Sequence, residues 1–300
     1  MKKSFIECVI GRARGAVTYF NRGWILILCI SFTSLSISST LMADFAQSDQ
    51  LLKRFPKGLY ADQIVPIDYL PNAQTIAELP QDTISQFIGL LQTPRTNVPQ
   101  GAILIIHDVG QNANWPNWIQ PMRNYLPDTG WMTLSITIPS GKLYDQRGYD
   151  QMIQDRIAAS INYLQNKGQF NLVLLGSGTG SFWIAKYLSL NMQGVDNFGY
   201  AMISVNAQDN TFIQAETFQE YLSTLTIPIL DIFLPKNEYE KNKAKWRKGM
   251  MLSKNHPNYI QVKMHDSAFG VSSEYDLVTR RVWGWLKVNA AGQEAEVRVK

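Results

Sequence analysis

The sequence predicts an α/β protein built on a doubly wound, mostly parallel sheet of the kind in which helices cover both faces. Two observations support this prediction. From residue 101 onward, apolar runs of strand length alternate with segments of helical periodicity. The chain also has 300 residues, 45% of them hydrophobic, which is enough for a sizeable buried core. Strands that are apolar on both faces and separated by helices are typical of a parallel sheet.

Six apolar runs carry the strand prediction. They are GAILIIHDVG at 101–110, WMTLSITIP at 131–139, NLVLLGSGTG at 171–180, FGYAMISVNA at 198–207, IPILDIFLP at 227–235 and NYIQVKM at 258–264. The first run ends in Asp108 and Gly110 and the second in Pro139, residues that terminate strands. We therefore expect six strands from this part of the chain.

Helical periodicity separates several of these runs. Residues 150–164 place Ile153, Ile157 and Ile161 on one stripe, and 182–190 and 278–286 are further helix candidates. The lysine-rich stretch at 236–249 interrupts the pattern, and we interpret it as a solvated helix or surface excursion.

The region before residue 101 is rich in proline and predicts a different organisation. Prolines at 56, 66, 71, 80, 94 and 99 separate short apolar pieces, and a first strand pair is expected at 64–69 and 85–91. The predicted organisation is a leader at 1–43, an N-terminal extension with the first strands at 44–94, the main domain at 95–288 and a polar tail at 289–300.

The leader predicts export. A basic stretch precedes an apolar run, and the small residue Ala43 follows, which is the pattern of a signal peptide. The 19 residues 24–42 leave an uncleaved membrane anchor as the alternative, although seven of them are Ser or Thr. We expect a periplasmic or periplasm-facing location, with membrane contact only through this segment if it is retained.

Charge and cysteine content exclude several functions. The leader holds five basic residues and one acidic residue, so it accounts for the whole net charge of +4, and nucleic acid is not an expected partner. Cys8 and Cys29 both lie in the leader, so the rest of the chain has no disulfide and no thiol nucleophile. Three scattered histidines predict no metal site. GSGTGS has Ser181 where a dinucleotide fingerprint needs its third glycine, so we expect no cofactor.

Several segments, in order, resemble the α/β-hydrolase superfamily and, more narrowly, the DUF3530 family. IIHDVGQNANW resembles a hydrolase turn after a strand, LVLLGSGTGSFWIAKYL the nucleophile elbow, PILDIFLPKN the strand before the acid loop, QVKMHDSAF the approach to the histidine loop, and VTRRVWGWLK the closing helix. The resemblance covers about residues 95–287 and implies an α/β-hydrolase fold with a catalytic triad.

The positions that the resemblance assigns to the triad lack its chemistry. Matching Gly176 and Gly180 to the outer glycines of G-x-S-x-G places Gly178 at the nucleophile position, and glycine has no hydroxyl. The acid position falls near Asn237, and the histidine position near Ala268 or Phe269. The resemblance thus implies a degenerate triad.

Neighbouring residues are weak replacement candidates. Ser177 and Ser181 carry hydroxyls beside the elbow, Glu238 is adjacent to the acid position, and His265 directly follows the last strand. An esterase or other acyl hydrolase that uses a displaced serine with His265 is therefore the alternative hypothesis.

The expected function is binding or a structural role in an envelope assembly, and we lean towards a protein without enzyme activity. At the carboxyl ends of the strands, where α/β sheets place ligands, aromatic and turn residues predict a cleft. The candidate binding residues are His107, Asp108, Val109, Trp115, Trp118, Gly178 and Thr179. Asp108 stands where hydrolases carry a glycine in the oxyanion turn. Envelope proteins and a small apolar molecule are the expected partners.

Overall fold

The computed structural model describes residues 63–69, 85–138, 146–191, 199–209, 216–265 and 277–291. These residues belong to one compact unit, Ser48–Lys300. The predicted leader lies outside the described residues, as do positions 268 and 269 and the last nine residues of the tail. No helix in the described ranges is both long and apolar enough to cross a membrane.

Eight strands form one sheet in the described part of the chain. They are β1 (Gln63–Tyr69), β2 (Ser85–Gln92), β3 (Gly101–Ile106), β4 (Trp131–Ile136), β5 (Leu172–Ser177), β6 (Tyr200–Val205), β7 (Ile229–Phe233) and β8 (Tyr259–Lys263). Their spatial order is β1-β2-β4-β3-β5-β6-β7-β8. β2 runs antiparallel to β1 and β4, whereas the six strands β4, β3, β5, β6, β7 and β8 run parallel to one another. The predicted mostly parallel sheet is confirmed, and so is the first strand pair.

Six α-helices surround this sheet within the described ranges. They are α1 (Ile119–Tyr125), α2 (Gln146–Asn166), α3 (Thr179–Asn191), α4 (Phe218–Leu222), α5 (Glu238–Ser253) and α6 (Leu277–Asn289), with a 3-10 turn at Leu126–Thr129 after α1. α2, α3 and α6 match the predicted helices, and the lysine-rich stretch forms α5. The sequence pattern did not predict α1 and α4, because five to seven residues are too few for a helical period to show.

Two apolar layers cover the sheet and explain why its strands are apolar throughout. Alternate residues of one strand point to opposite faces, so Leu104 packs with α2 and α3 on one face. Ile103 and Ile105 pack with α1 and α6 on the other face. Five strands, β3, β4, β5, β6 and β7, are almost entirely buried. This is the doubly wound arrangement, in which β5 lies in the middle of the sheet between β3 and β6.

Candidate functional site

The turn between β5 and α3 is a sharp strand-to-helix turn, and Gly178 stands at the position where the sequence resemblance places a nucleophile. Gly178 has φ +52°, in the left-handed region that side chains rarely adopt. Its N–H donates to the Val205 carbonyl at 2.9 Å, and its carbonyl accepts from the Gln208 N–H at 3.1 Å. A Cβ at Gly180 would lie 2.5 Å from the Ile106 carbonyl oxygen, so the helix starts in close contact with β3. Hydrogen bonds from two segments and the contact with β3 therefore hold this sharp turn in place.

The carboxylate of Asp108 lies directly over this turn. Its Oδ1 accepts hydrogen bonds from the Thr179 N–H at 2.9 Å, the Thr179 hydroxyl at 2.8 Å and the Val109 N–H at 2.8 Å. The Val109 N–H also lies 3.2 Å from the Thr179 hydroxyl oxygen. In hydrolases of this fold, the oxyanion hole consists of the N–H after the nucleophile and an N–H of the turn after the third strand. By the resemblance noted in the sequence, those two donors would be the N–H groups of Thr179 and Val109, and the Asp108 carboxylate accepts hydrogen bonds from both.

Asp108 also fills the volume in which a nucleophile side chain would stand. A Cβ built on Gly178 would lie closer than 3.0 Å to the Cγ, Oδ1 and Oδ2 atoms of Asp108, a separation that real Cβ atoms essentially never show. The two departures from the hydrolase pattern therefore match each other. With the Asp108 carboxylate in this position a side chain does not fit at 178, and the glycine leaves room for the carboxylate.

The hydroxyls near the elbow have different surroundings. Ser181 is fully buried, and its hydroxyl donates to the Gly176 carbonyl at 2.8 Å, so it is held within the first turn of α3. Ser177 is 5% exposed and lines the cavity beside Gly178. Of the two candidate serines, only Ser177 borders space that a ligand can enter.

His107 is a structural residue in this arrangement. Its Nδ1 lies 2.7 Å from the Asp108 carbonyl oxygen, and its Nε2 accepts from the Ile138 N–H at 3.0 Å. The proton therefore resides on Nδ1, and the ring joins the ends of β3 and β4. Burial lowers the pKa of His107 below its ordinary value, which keeps the ring neutral. Both ring nitrogens bond to backbone rather than to the cavity.

The structure does not bring His265 to the candidate serines. His265 is exposed at the end of β8 and lines a separate groove of about 680 Å³ between β8 and α6. Glu238 is likewise on the surface, in the first turn of α5, with its carboxylate 2.9 Å from the Lys241 ammonium. The hydrogen bond from Lys241 lowers the pKa of Glu238.

The residue at the acid position has a local structural task. Asn237 is the N-cap of α5, and its side-chain oxygen accepts a hydrogen bond from the Glu240 N–H at 2.9 Å. Asparagine is among the preferred residues at this position because it satisfies an otherwise unpaired helix N–H. Asp231, the acidic residue within the preceding strand, is fully buried and bonded to Arg247 of α5.

A cavity of about 300 Å³ opens beside the elbow at the carboxyl ends of β3, β5, β6 and β7. Four candidate binding residues, Asp108, Trp115, Trp118 and Gly178, line it together. Polar side chains that sequence reasoning had not singled out complete the walls: Gln111, Asn117, Asn206, Gln208 and Lys236. Within the described ranges, no group of His, Cys, Asp or Glu side chains is arranged to hold a metal ion.

One of the missed residues carried a readable signal. Asn206 directly follows β6, at the strand end where parallel sheets place ligands. It has φ +57°, and its side-chain oxygen accepts from the Leu234 N–H at 2.9 Å. The other four missed residues, Gln111, Asn117, Gln208 and Lys236, lie in turns and loops, where strand and helix periodicity give no information.

Comparison with solved structures defines the class of this fold. The structure is similar to that of an esterase from Pyrococcus furiosus, with TM-score 0.56 and 11% identity, covering 79% of this chain and 96% of that one. It is also similar to a dienelactone hydrolase from Anabaena variabilis, with TM-score 0.53 and 12% identity over 76% and 99% of the two chains. The esterase domain of a Rhodothermus marinus protein gives TM-score 0.52 and 12% identity over 75% and 98%. The fold is that of the α/β-hydrolases.

Within this class the chain belongs to DUF3530, a family described as "Protein of unknown function". The family model matches residues 25–147 and 144–288, which is most of the chain. The resemblance noted in the sequence is thus confirmed for both the superfamily fold and the family. No curated protein matches the chain.

Proposed function

We propose that this protein is an exported cell-envelope member of its family that lacks a competent serine triad and acts by binding or as a structural component of an envelope assembly. The absence of a competent triad is supported by the Asp108 carboxylate, which accepts hydrogen bonds from the two N–H donors of the oxyanion hole. A substrate carbonyl cannot use those donors while the carboxylate holds them.

A second argument concerns the missing nucleophile. Hydrolysis through an acyl-enzyme needs a hydroxyl beside a base, and Gly178 supplies none. Ser177 borders the cavity, but His265 lines a different groove. The described residues therefore support a binding site, rather than a catalytic site, beside Gly178.

The walls of the cavity favour a small polar ligand over the apolar one expected from the tryptophans. Four amide side chains, Gln111, Asn117, Asn206 and Gln208, share the walls with Lys236 and the two tryptophans. Amides and an ammonium group fix hydroxyls and carbonyls, and a tryptophan ring offers a flat apolar contact. A ligand with both kinds of surface satisfies this lining best.

Export and envelope location are supported by the leader pattern and by the absence of cysteine after residue 29. Chemical crosslinking in intact cells, followed by purification of the chain, tests the assembly role. We expect envelope proteins in the crosslinked products. A chain that stays a lone monomer in every extract contradicts that role.

The test of the missing triad is reactivity. The purified protein is incubated with a fluorophosphonate and with short p-nitrophenyl esters, and we expect neither labelling nor hydrolysis. The matched control is the Ser177→Ala variant. Labelling of the parent protein that disappears in this variant overturns the proposal and establishes the displaced-serine esterase.

A further inference from the structure

The strand β8 ends the sheet and has an edge that no other described strand covers. Its neighbour in the strand order is β7. The Asn258 carbonyl and the Met264 N–H, both at even residue numbers, bond to β7. Backbone groups alternate in direction along a strand, so those at odd residue numbers point away from the sheet. These are the N–H and C=O groups of Tyr259, Gln261 and Lys263, and within the described ranges no backbone group pairs with them.

The residues of β8 leave this edge open to an added strand. An uncovered edge is a template for pairing with another chain, and proline is one of the residues that prevent such pairing. The strand at the opposite edge, β1, contains Pro66, whereas β8 contains no proline. The charged residue of β8, Lys263, repels a strand that places a lysine opposite it and favours one that places an acidic residue there.

A groove runs beside this edge, between the α6 side of β8 and α6 itself. On β8 it is lined by Ile260, which is 43% exposed, and by Val262 and Met264. On α6 four lining residues recur at spacings of four, three and four, so they form one stripe of the helix: Leu277, Arg281, Gly284 and Val288. Leu277 is 52% exposed and Val288 82%. Apolar side chains of both elements are thus exposed in one continuous groove, which is typical of an interaction site.

Gly284 keeps this groove open. It lies within α6, and a Cβ built on it would meet nothing within 4 Å. Glycine is a poorer helix former than alanine, so the packing of the described residues gives no reason for glycine at this position. Its missing side chain leaves room for a side chain that enters from outside.

The charged side chains of the groove all carry the same sign. Lys263, Arg280 and Arg281 line it and are exposed, and no Asp or Glu is among its described lining residues. Glu238, which Lys263 influences from a distance, is already paired with Lys241 at 2.9 Å. The groove is therefore complementary to an acidic ligand.

We propose that the β8 edge binds an extended acidic segment of a partner protein, which joins the sheet as an additional strand. Its backbone bonds to Tyr259, Gln261 and Lys263, and its alternate apolar side chains enter the groove. The row of outward N–H and C=O groups favours a peptide over a fatty acid, because an acyl chain has no donors or acceptors to pair with them. The inference rests on the assembly role proposed above and names the chemistry of the partner.

The test measures binding of a short fluorescent peptide of alternating glutamate and valine to the full chain by fluorescence anisotropy. We expect saturable binding, and none of the counterpart peptide of alternating lysine and valine. Gly284→Trp fills the groove and should weaken binding by about tenfold or more, since the apolar anchors lose their site. The matched control is Gly249→Trp on α5, where a Cβ also meets nothing within 4 Å. It should leave binding unchanged.

Two variants of one residue separate charge from backbone pairing. Lys263→Gln removes the charge alone and should weaken binding by about threefold, whereas Lys287→Gln, which does not line the groove, should not. Lys263→Pro also removes an outward N–H and should weaken binding further, because proline is tolerated at a strand edge but blocks pairing there. Peptides N-methylated at alternate residues test the same point without altering the protein. Methylation in one register should abolish binding, and methylation in the other should preserve it.

Several results overturn the proposal. They are no binding of the acidic peptide, equal binding of the basic one, full binding to Gly284→Trp, and undiminished binding of both N-methylated peptides. Self-association of the chain that Gly284→Trp abolishes assigns the edge to a second copy and overturns it as well. If crosslinking in cells yields envelope partners while the peptide fails to bind, the assembly role stands and the inference about β8 fails.

Discussion

At the scale of single residues, Asp108 and Gly178 form a coupled pair. The carboxylate accepts the N–H groups of Val109 and Thr179 and lies where a side chain at 178 would project. The two donors thereby have a hydrogen-bond acceptor without a ligand. Reversal of either change alone is therefore expected to disturb the other residue.

A double-mutant cycle measures this coupling. Gly178→Ala should destabilise the protein by roughly 2 kcal/mol or more, because it combines a positive φ with a clash against Asp108. In an Asp108→Gly background only the φ penalty remains, about 1 kcal/mol. Urea denaturation of the four proteins gives the coupling energy. Additive losses would show that the two side-chain positions are independent.

His107 predicts a pH dependence of stability. Burial lowers its pKa in the folded state below the ordinary value of 6.5, whereas in the unfolded chain it returns to that value. The unfolded state therefore binds the proton first, and stability falls as the pH drops below about 6.5, with a slope of at most about 1.4 kcal/mol per pH unit. His107→Gln should remove most of this slope in urea titrations, whereas His256→Gln, at a partly exposed site, should remove less. An unchanged slope in His107→Gln contradicts the assignment.

At the scale of elements, Asp231 joins the strands at the β8 edge to α5. Its carboxylate accepts from the Arg247 Nε at 2.9 Å, the Ser204 hydroxyl at 2.9 Å, the Tyr259 hydroxyl at 2.7 Å and the Gln261 amide at 2.9 Å. Burial alone would raise the pKa of Asp231, but the charge and hydrogen bonds of Arg247 lower it below the ordinary value. One buried carboxylate thus connects β6, β7, β8 and α5.

Breaking this pair should cost more than removing it. Asp231→Ala leaves the Arg247 guanidinium buried without its counterion, and we expect a loss of about 3 to 5 kcal/mol. The double variant Asp231→Leu with Arg247→Leu buries no charge and should lose less than the single variant. Urea denaturation measures both. A double variant less stable than Asp231→Ala contradicts this account.

Two substitutions of Asn237, the N-cap of α5, distinguish a structural role of this residue from a catalytic one. Asn237→Ala should lower the free energy of unfolding by about 1 kcal/mol, because the Glu240 N–H loses its acceptor. Asn237→Asp keeps the cap and places a negative charge at the helix N-terminus, so stability should be equal or a few tenths of a kcal/mol higher. Thermal unfolding and an ester assay on both variants check this. Ester hydrolysis in Asn237→Asp would mean that a working nucleophile and base were already present.

At the scale of the whole molecule, the sequence was sufficient to predict the sheet and its longer helices. It was not sufficient to predict the contact between Asp108 and Thr179 that defines the site. Residues 64–69 and 85–91 were predicted as a strand pair and form β1 and β2, because proline and strand periodicity are local signals. The meeting of Asp108 and Thr179 joins positions 71 residues apart. No local pattern contains that contact, since it depends on the order in which β3 and β5 pair. In the sequence, Asn237 is interpreted as the replacement of a catalytic acid. Its capping hydrogen bond with the Glu240 N–H can be recognised only when the start of α5 is known.

The fold also predicts the effect of placing the residues of the hydrolase pattern at positions 108 and 178 together. Asp108→Gly with Gly178→Ser frees the Thr179 and Val109 donors and returns a hydroxyl to the elbow, so we expect a folded protein that a fluorophosphonate labels. Labelling should remain slower than in an intact triad by about 10³-fold or more, because His265 lies in another groove. Gly178→Ser alone should stay unlabelled, with Asp108→Gly alone as the matched control that has no hydroxyl at 178. Intact-protein mass spectrometry follows the adduct. If a fluorophosphonate labels Gly178→Ser as fast as the double variant, Asp108 does not block the site. The binding function argued from the position of Asp108 would then lose its main support.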